Sequence, residues 1–141
     1  MIRRLALLAF AACAVAAPAS AQTADPIGLW ATPTNGAQVR IARCGQALCG
    51  TLVTANTLRA DPDLRDAHNP DGALRTRRMQ GLRFLSGFTG GPTEWRGGSV
   101  YNPEDGRTYR GTITLTNANT LTLRGCVVAP LCRNQTWTRV R

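Results

Sequence analysis

From Gln22 onward the chain alternates polar and apolar residues over short runs and shows almost no helical spacing. In Gln38-Val39-Arg40-Ile41-Ala42 every second residue is apolar. Between Thr108 and Thr116, Tyr109, Gly111, Ile113 and Leu115 share one face, and Thr108, Arg110, Thr112 and Thr114 share the other. Thr120-Leu121-Thr122-Leu123-Arg124 repeats the pattern. Successive side chains of a strand point to opposite faces, so such runs mark strands with one face buried. Turn formers separate them: Asn35-Gly36, Gly90-Gly91-Pro92, Asn102-Pro103-Glu104-Asp105-Gly106 and Asn117-Ala118-Asn119. Eight strands are expected, near 27–32, 37–44, 48–54, 82–88, 94–101, 107–116, 119–126 and 132–140. Short antiparallel strands joined by hairpins suit an all-β up-and-down barrel, which leaves no exposed sheet edge. A two-sheet sandwich is the alternative. No internal repeat is visible.

The start of the chain has a different character. Met1-Ile2-Arg3-Arg4 is basic, Leu5 to Ala17 is uncharged and apolar, and Ala19-Ser20-Ala21 places small residues at a cleavage site. This three-part pattern reads as a secretory signal over residues 1–21, so the working molecule is expected to begin at Gln22 in the periplasm or outside the cell. The apolar run falls short of the roughly 20 residues that span a bilayer, and no other segment is long and apolar enough. Phe10-Ala11-Ala12-Cys13 raises a lipoprotein reading, but Phe10 stands where Leu or Val is usual. Residues 22–141 suit one domain, small enough for covalent staples to matter.

The chain has 17 basic and 8 acidic residues; removing Arg3 and Arg4 leaves 15 against 8, a net charge of +7. That excess favours polyanionic partners such as an anionic head group or a cell-envelope polymer. Lysine is absent, which points to compositional bias more than to selected phosphate binding. Only Arg75, Arg77 and Arg78 cluster. Export and the lack of a recognised module argue against nucleic acid.

Cys13 leaves with the signal, and the other four of the five cysteines are expected to be paired in an oxidising compartment. Of the three possible connectivities, spacing favours the local one, Cys44 with Cys49 and Cys126 with Cys132, each pair flanking a turn. Each closes a short loop and contributes only about 2 kcal/mol on the chain-entropy account. A four-thiolate zinc site would need tighter ligand spacing and a reducing compartment.

Residues 55–81 interrupt the strand pattern. They contain Asp61, Asp63, Asp66, His68, Asn69, Pro70, Asp71 and the arginine cluster, and Ala73–Met79 is long enough for one or two helical turns. Loops of this length are commonly lids or binding loops. His68 is the only histidine, and Ala67 breaks the oxygen-ligand alternation that calcium would need, so a solvated polar loop without metal is expected. No nucleophile elbow, zinc-binding helix or phosphate loop occurs, a Ser/His or Cys/His engine lacks parts, and Glu104 and Asp105 sit in a turn. No catalytic residue and no cofactor is assigned; enzymatic activity, such as an envelope hydrolase using His68 or a carboxylate pair, is left open without a motif to support it. Trp30, Trp137 and Arg139, on the first and last strands, are candidates for a plug at one barrel end, guanidinium stacked on indole. Trp95, Ser99 and Tyr101 alternate on one strand. Trp95 and Tyr101, with Tyr109 and Arg75, Arg77 and Arg78, are the candidate ligand-binding residues.

Taken together, Arg43-Cys44-Gly45, Leu48-Cys49-Gly50, Asn69-Pro70-Asp71, Gly97-Gly98, Tyr101 to Gly106, Thr108-Tyr109, Gly125-Cys126, Cys132-Arg133 and Gln135-Thr136-Trp137 resemble a family of small exported bacterial proteins. It is catalogued as domain of unknown function 2147. The resemblance covers nearly all of residues 22–141. It implies an exported setting and a lipocalin-like barrel, and the Gly28-x-Trp30 start is similar to the lipocalin signature. No activity comes with it. The resulting expectation is a non-enzymatic binder that holds a small hydrophobic or anionic amphipathic ligand inside the barrel, with 55–81 as its lid. The alternative is a structural module that engages cell-wall polymer or a protein through its surface.

Overall fold

The computed structural model describes residues 24–141, so the expected signal segment and Cys13 lie outside the described residues. Eight strands run in chain order: β1 (Gly28–Ala31), β2 (Gln38–Cys44), β3 (Ala47–Thr54), β4 (Arg83–Gly90), β5 (Glu94–Asn102), β6 (Arg107–Asn117), β7 (Thr120–Val128) and β8 (Leu131–Arg139). Each pairs antiparallel with the next, and β8 returns to β1, closing the barrel. Closure excludes the sandwich. Strand order and number match the sequence expectation, because alternation marks the strands and turn formers separate them.

The alternating residues sort as the pattern demands. Val39 and Ile41 of β2, Ile113 and Leu115 of β6, Leu121 and Leu123 of β7 and Trp137 of β8 are buried. They form one core with Trp30, Leu48, Leu85, Phe88 and Trp95. Arg40, Arg110, Arg124, Asn134 and Thr136 on the same strands are exposed. This apolar-in, polar-out order is the reverse of a barrel that crosses a membrane through its strands. No helix among the described residues is long and apolar enough to cross one either.

Glycines make room for the largest core side chains. A Cβ on Gly111 would lie 2.8 Å from the Phe88 ring, one on Gly98 would overlap that ring, and one on Gly50 would lie 2.6 Å from Leu85. Phe88 and Leu85, both fully buried, therefore press against bare backbone of nearby strands. Small barrels of eight strands are commonly filled in this way, without a ligand chamber.

Two features depart from the simple alternation. The β5–β6 register shifts between Trp95 and Gly98, with Gly97 at φ 70°, so Trp95, Ser99 and Tyr101 do not form one row. Trp95 joins the main core, whereas Tyr101 packs against a second cluster made by Ala55, Leu58, Met79 and Leu82. A bulge inserts one residue and re-aims the side chains beyond it. The second departure is the 55–81 segment, which is not structureless. It contains α1 (Asn56–Ala60), a 3-10 turn over Gly72–Leu74 in place of the turns expected over 73–79, and an isolated bridge between Arg65 and Arg78.

Both local disulfides are present, Cys44–Cys49 across the β2–β3 turn and Cys126–Cys132 across the β7–β8 turn. Because the barrel is filled against its glycines, Gly98→Ala should cost about 1–3 kcal/mol through overpacking. Gly72→Ala, at a glycine with open space around it, should stay within about 0.5 kcal/mol of the parent. Urea unfolding of both variants checks this, and equal midpoints would contradict the packed interior.

Candidate functional site

Two polar constructions stand out at opposite ends of the barrel. The first is the plug. Arg139, at the end of β8, lies with its guanidinium carbon 4.3 Å from the centre of the Trp30 ring. Its Nη1 donates to the Ile27 carbonyl at 2.8 Å, its Nε to the Ala118 carbonyl at 2.6 Å, and its Nη2 to the Asp25 carbonyl. The Trp30 indole N–H donates to the Pro26 carbonyl at 2.8 Å. Gly28, at φ 143°, carries no side chain where the Arg139 guanidinium lies, 2.5 Å from a Cβ position. Only glycine meets both demands. The structure therefore brings Trp30 and Arg139 together, while Trp137 is packed elsewhere in the same core, tilted against Phe84 with ring centres 6.4 Å apart.

The second construction is at the other end, where the 55–81 segment packs against the barrel. Asp66 is 1% exposed and Asn69 4% exposed, so the expectation of a solvated polar loop is corrected at these two positions. The Tyr101 hydroxyl donates to Asp66 Oδ1 at 2.6 Å, and the Asn69 amide donates to Asp66 Oδ2 at 2.8 Å. Arg77 donates from Nε to the same oxygen at 2.8 Å, with Nη2 also 2.8 Å away. Its guanidinium carbon lies 5.2 Å from the Tyr101 ring centre. A buried carboxylate is costly unless paired and hydrogen-bonded. Here both oxygens are taken.

The titration behaviour reflects these contacts. Burial pushes the Asp66 carboxyl upward, but hydrogen bonds from Tyr101, Asn69 and Arg77, with the Arg77 charge, outweigh it and hold the group below the ordinary carboxylate value. Burial, and then the Asp66 hydrogen bond and charge, raise Tyr101 above the usual phenol value. Tyr109 donates its hydroxyl to Asp105; that bond raises Tyr109 and, against burial, helps lower Asp105. Asp66 thus has both oxygens committed inside the protein, and its geometry is that of a latch. It ties the loop to β5.

The arginine cluster is spent within its own loop. Arg78 pairs with Asp63 at 2.6 Å, Arg77 with Asp66, and Arg75 Nε donates to the Asn69 carbonyl at 2.8 Å. Two of the segment's acids, Asp63 and Asp66, are therefore paired with its own arginines. His68 Nδ1 lies 3.3 Å from the Pro103 carbonyl oxygen, with the His68 carbonyl packed where a Cβ on Gly106 would sit. Trp95 is buried. No group of three or more metal-ligating side chains occurs among the described residues. Sequence reasoning does not single out Asp66 and Asn69, because neither has a local spacing signal and their partner Tyr101 is 35 residues from Asp66. The Asn69-Pro70-Asp71 motif is the one available pointer.

Two depressions are found on the outside of the barrel. A shallow one of about 330 Å³ runs over the outer faces of β5 to β8 between Arg96, Thr112, Thr122 and Arg124. Another, of about 260 Å³, lies at the plugged end beside Asp25, Arg43 and Gly91.

A family model described as "Uncharacterized protein conserved in bacteria (DUF2147)" matches residues 28–139, from the first residue of β1 to the last of β8. A solved structure, protein HP1028 from Helicobacter pylori, described as belonging to the lipocalin family, is similar at a TM-score of 0.73. The two are 23% identical, over 82% of each chain; this likeness concerns the fold. No curated protein matches the sequence.

The latch has a pH signature. A carboxyl held below its unfolded value of about 3.9 stabilises the fold above that pH, and the contribution disappears as pH falls through the folded value. Asp66→Asn should flatten this acid limb and lower stability near neutrality by about 1–3 kcal/mol, since the half-buried Tyr101 and Arg77 donors lose a charged, buried acceptor. Thermal melts of both proteins from pH 7 to pH 2 measure it; parallel curves would mean that Asp66 does not hold the loop.

Proposed function

The chain belongs to the DUF2147 family and folds as a lipocalin-like barrel, and on that premise we propose that it is an exported, non-enzymatic binding protein. Its ligand is anionic and amphipathic, and it is taken on the outer surface of the barrel. One observation carries this placement: the interior is filled, with Trp30, Leu48, Leu85, Phe88 and Leu121 at 0% exposure and glycines yielding their space to core side chains. A lipocalin-like fold suits small-molecule binding, and the +7 balance of residues 22–141 selects a negative ligand. The two disulfides fit an oxidising compartment. Residues 1–21 supply the export signal and 22–141 the single binding domain. With Arg75, Arg77 and Arg78 engaged inside the 55–81 segment, the anion is assigned to arginines on the outer strand faces instead.

A second reading has an observation of its own. The buried Asp66 carboxylate is the charged tie between the 55–81 segment and β5, so its release would loosen the segment as a lid and admit a ligand to the second apolar cluster. Titration with a monomeric anionic lysophospholipid, set against its zwitterionic counterpart, separates the readings. Surface binding should favour the anionic lipid, weaken with salt, and leave the emission of the buried Trp30 and Trp137 unchanged. A large tryptophan shift, enhanced in Asp66→Asn, would favour the lid. Equal failure of both lipids would remove the proposal.

A further inference from the structure

Among the described residues the exposed large hydrophobics are Leu74, Val127, Val128 and Leu131, at 39%, 70%, 62% and 67% exposure. Three of the four sit at one hairpin tip. The β6–β7 ladder begins at Arg110 with Cys126, whereas β7 and β8 remain paired out to Val128 with Leu131. The tip 127–131 is therefore not laddered to β6, whose stretch Arg107–Tyr109 pairs only with β5, and it forms a two-stranded finger. A lone hairpin is marginal in water, but this one is bolted at its base by Cys126–Cys132, whose Cα atoms are 4.0 Å apart. The disulfide holds Val127, Val128, Ala129, Pro130 and Leu131 out in solvent, where the hydrophobic effect opposes leaving them.

The residues behind the finger are basic. Arg124 and Arg133 lie on the two strands of the hairpin, and Arg110 stands directly opposite Cys126 on β6. All three are exposed, and none is in an ion pair among the described residues, in contrast to Arg65, Arg77, Arg78 and Arg96. The acids Glu104 and Asp105 occupy the adjacent β5–β6 turn, where Asp105 already accepts from Tyr109. An apolar tip with a collar of unpaired cations matches the layered order of an anionic bilayer surface. The acyl boundary would receive Val128 and Leu131, and the phosphate layer would receive the guanidinium forks.

We propose that the β7–β8 finger docks this protein on an anionic phospholipid membrane, Val127, Val128 and Leu131 entering the interface and Arg110, Arg124 and Arg133 holding phosphates. This deepens the surface-binding reading above and rests on it. The docking is peripheral and reversible, because three apolar side chains are far less than a spanning segment provides.

The test is co-sedimentation of oxidised residues 22–141, which contain every strand, with vesicles of phosphatidylglycerol and phosphatidylethanolamine. Binding should exceed that to pure phosphatidylcholine by at least about tenfold and weaken with added salt. The double variant V128D/L131D should bind about tenfold more weakly with unchanged circular dichroism, since both positions are already in solvent. R110Q/R124Q should lose about tenfold, whereas R40Q/R83Q, with the same change in charge on other strands, should lose much less. Equal losses in the two arginine pairs would reduce the effect to net charge and overturn the docking site. So would unaltered binding of V128D/L131D, or a dimer in sedimentation that this variant abolishes, which would make the finger a self-association surface. Binding of the monomeric lysophospholipid without binding to vesicles would sink the finger alone; failure of both would sink the surface reading with it.

Discussion

Barrel closure rests on a short seam. β1 is four residues long and meets β8 at only two positions, Trp30 with Arg139 and Ala31 with Thr138. So short a ladder cannot hold two ends of a chain together by backbone hydrogen bonds alone. Arg139 supplies the rest: its guanidinium covers the Trp30 indole and satisfies carbonyls at Asp25, Ile27 and Ala118. One side chain thus joins the N-terminal approach, the first strand, the β6–β7 turn and the last strand. The backbone bond from Val140 to Leu29 adds to the same seam. Without closure the sheet would have two free edges, and the core would lose one wall.

A closed barrel can be hollow or filled, and this one is filled. The choice is made by pairs of very large and very small residues on nearby strands of the wall, Phe88 against Gly98 and Gly111, and Leu85 against Gly50. The consequence reaches function directly. When the interior is occupied by the protein's own side chains, the binding proposed above falls to the rims and the outer faces. There the chain carries its unpaired arginines and its exposed apolar tip. The two ends of the molecule divide the labour: the plugged end secures the fold, while the opposite end carries the latched segment and the disulfide-bound finger.

The latched segment shows how a polar sequence can be internally satisfied. By sequence its acids and arginines resemble groups offered to a ligand. In the fold they are offered to one another, because a loop that crosses an apolar barrel end must bury some of its polar atoms and cannot leave them unpaired. Asp66 takes that role, with Tyr101 reaching it from β5 and Arg77 from its own loop.

Strand number, strand order, both disulfides and the Gly28-x-Trp30 start are legible in the sequence because each depends on neighbours a few residues apart. Alternation, hairpin staples and turns are all short-range signals. The family resemblance extends that local reading to the lipocalin-like barrel. The features that sequence leaves open depend on residues brought together from far apart. The Asp66–Tyr101 bond spans 35 positions, and the Arg139 contact with Ile27 spans 112. The bulge before Gly98 re-aims Tyr101 without any local mark beyond Gly97-Gly98. Whether the barrel is filled or hollow, and which arginines are spent inside the molecule, is decided only by tertiary packing. Volume and charge are matched across strands, and a one-dimensional pattern carries the faces of those strands but not the residues that stand opposite them.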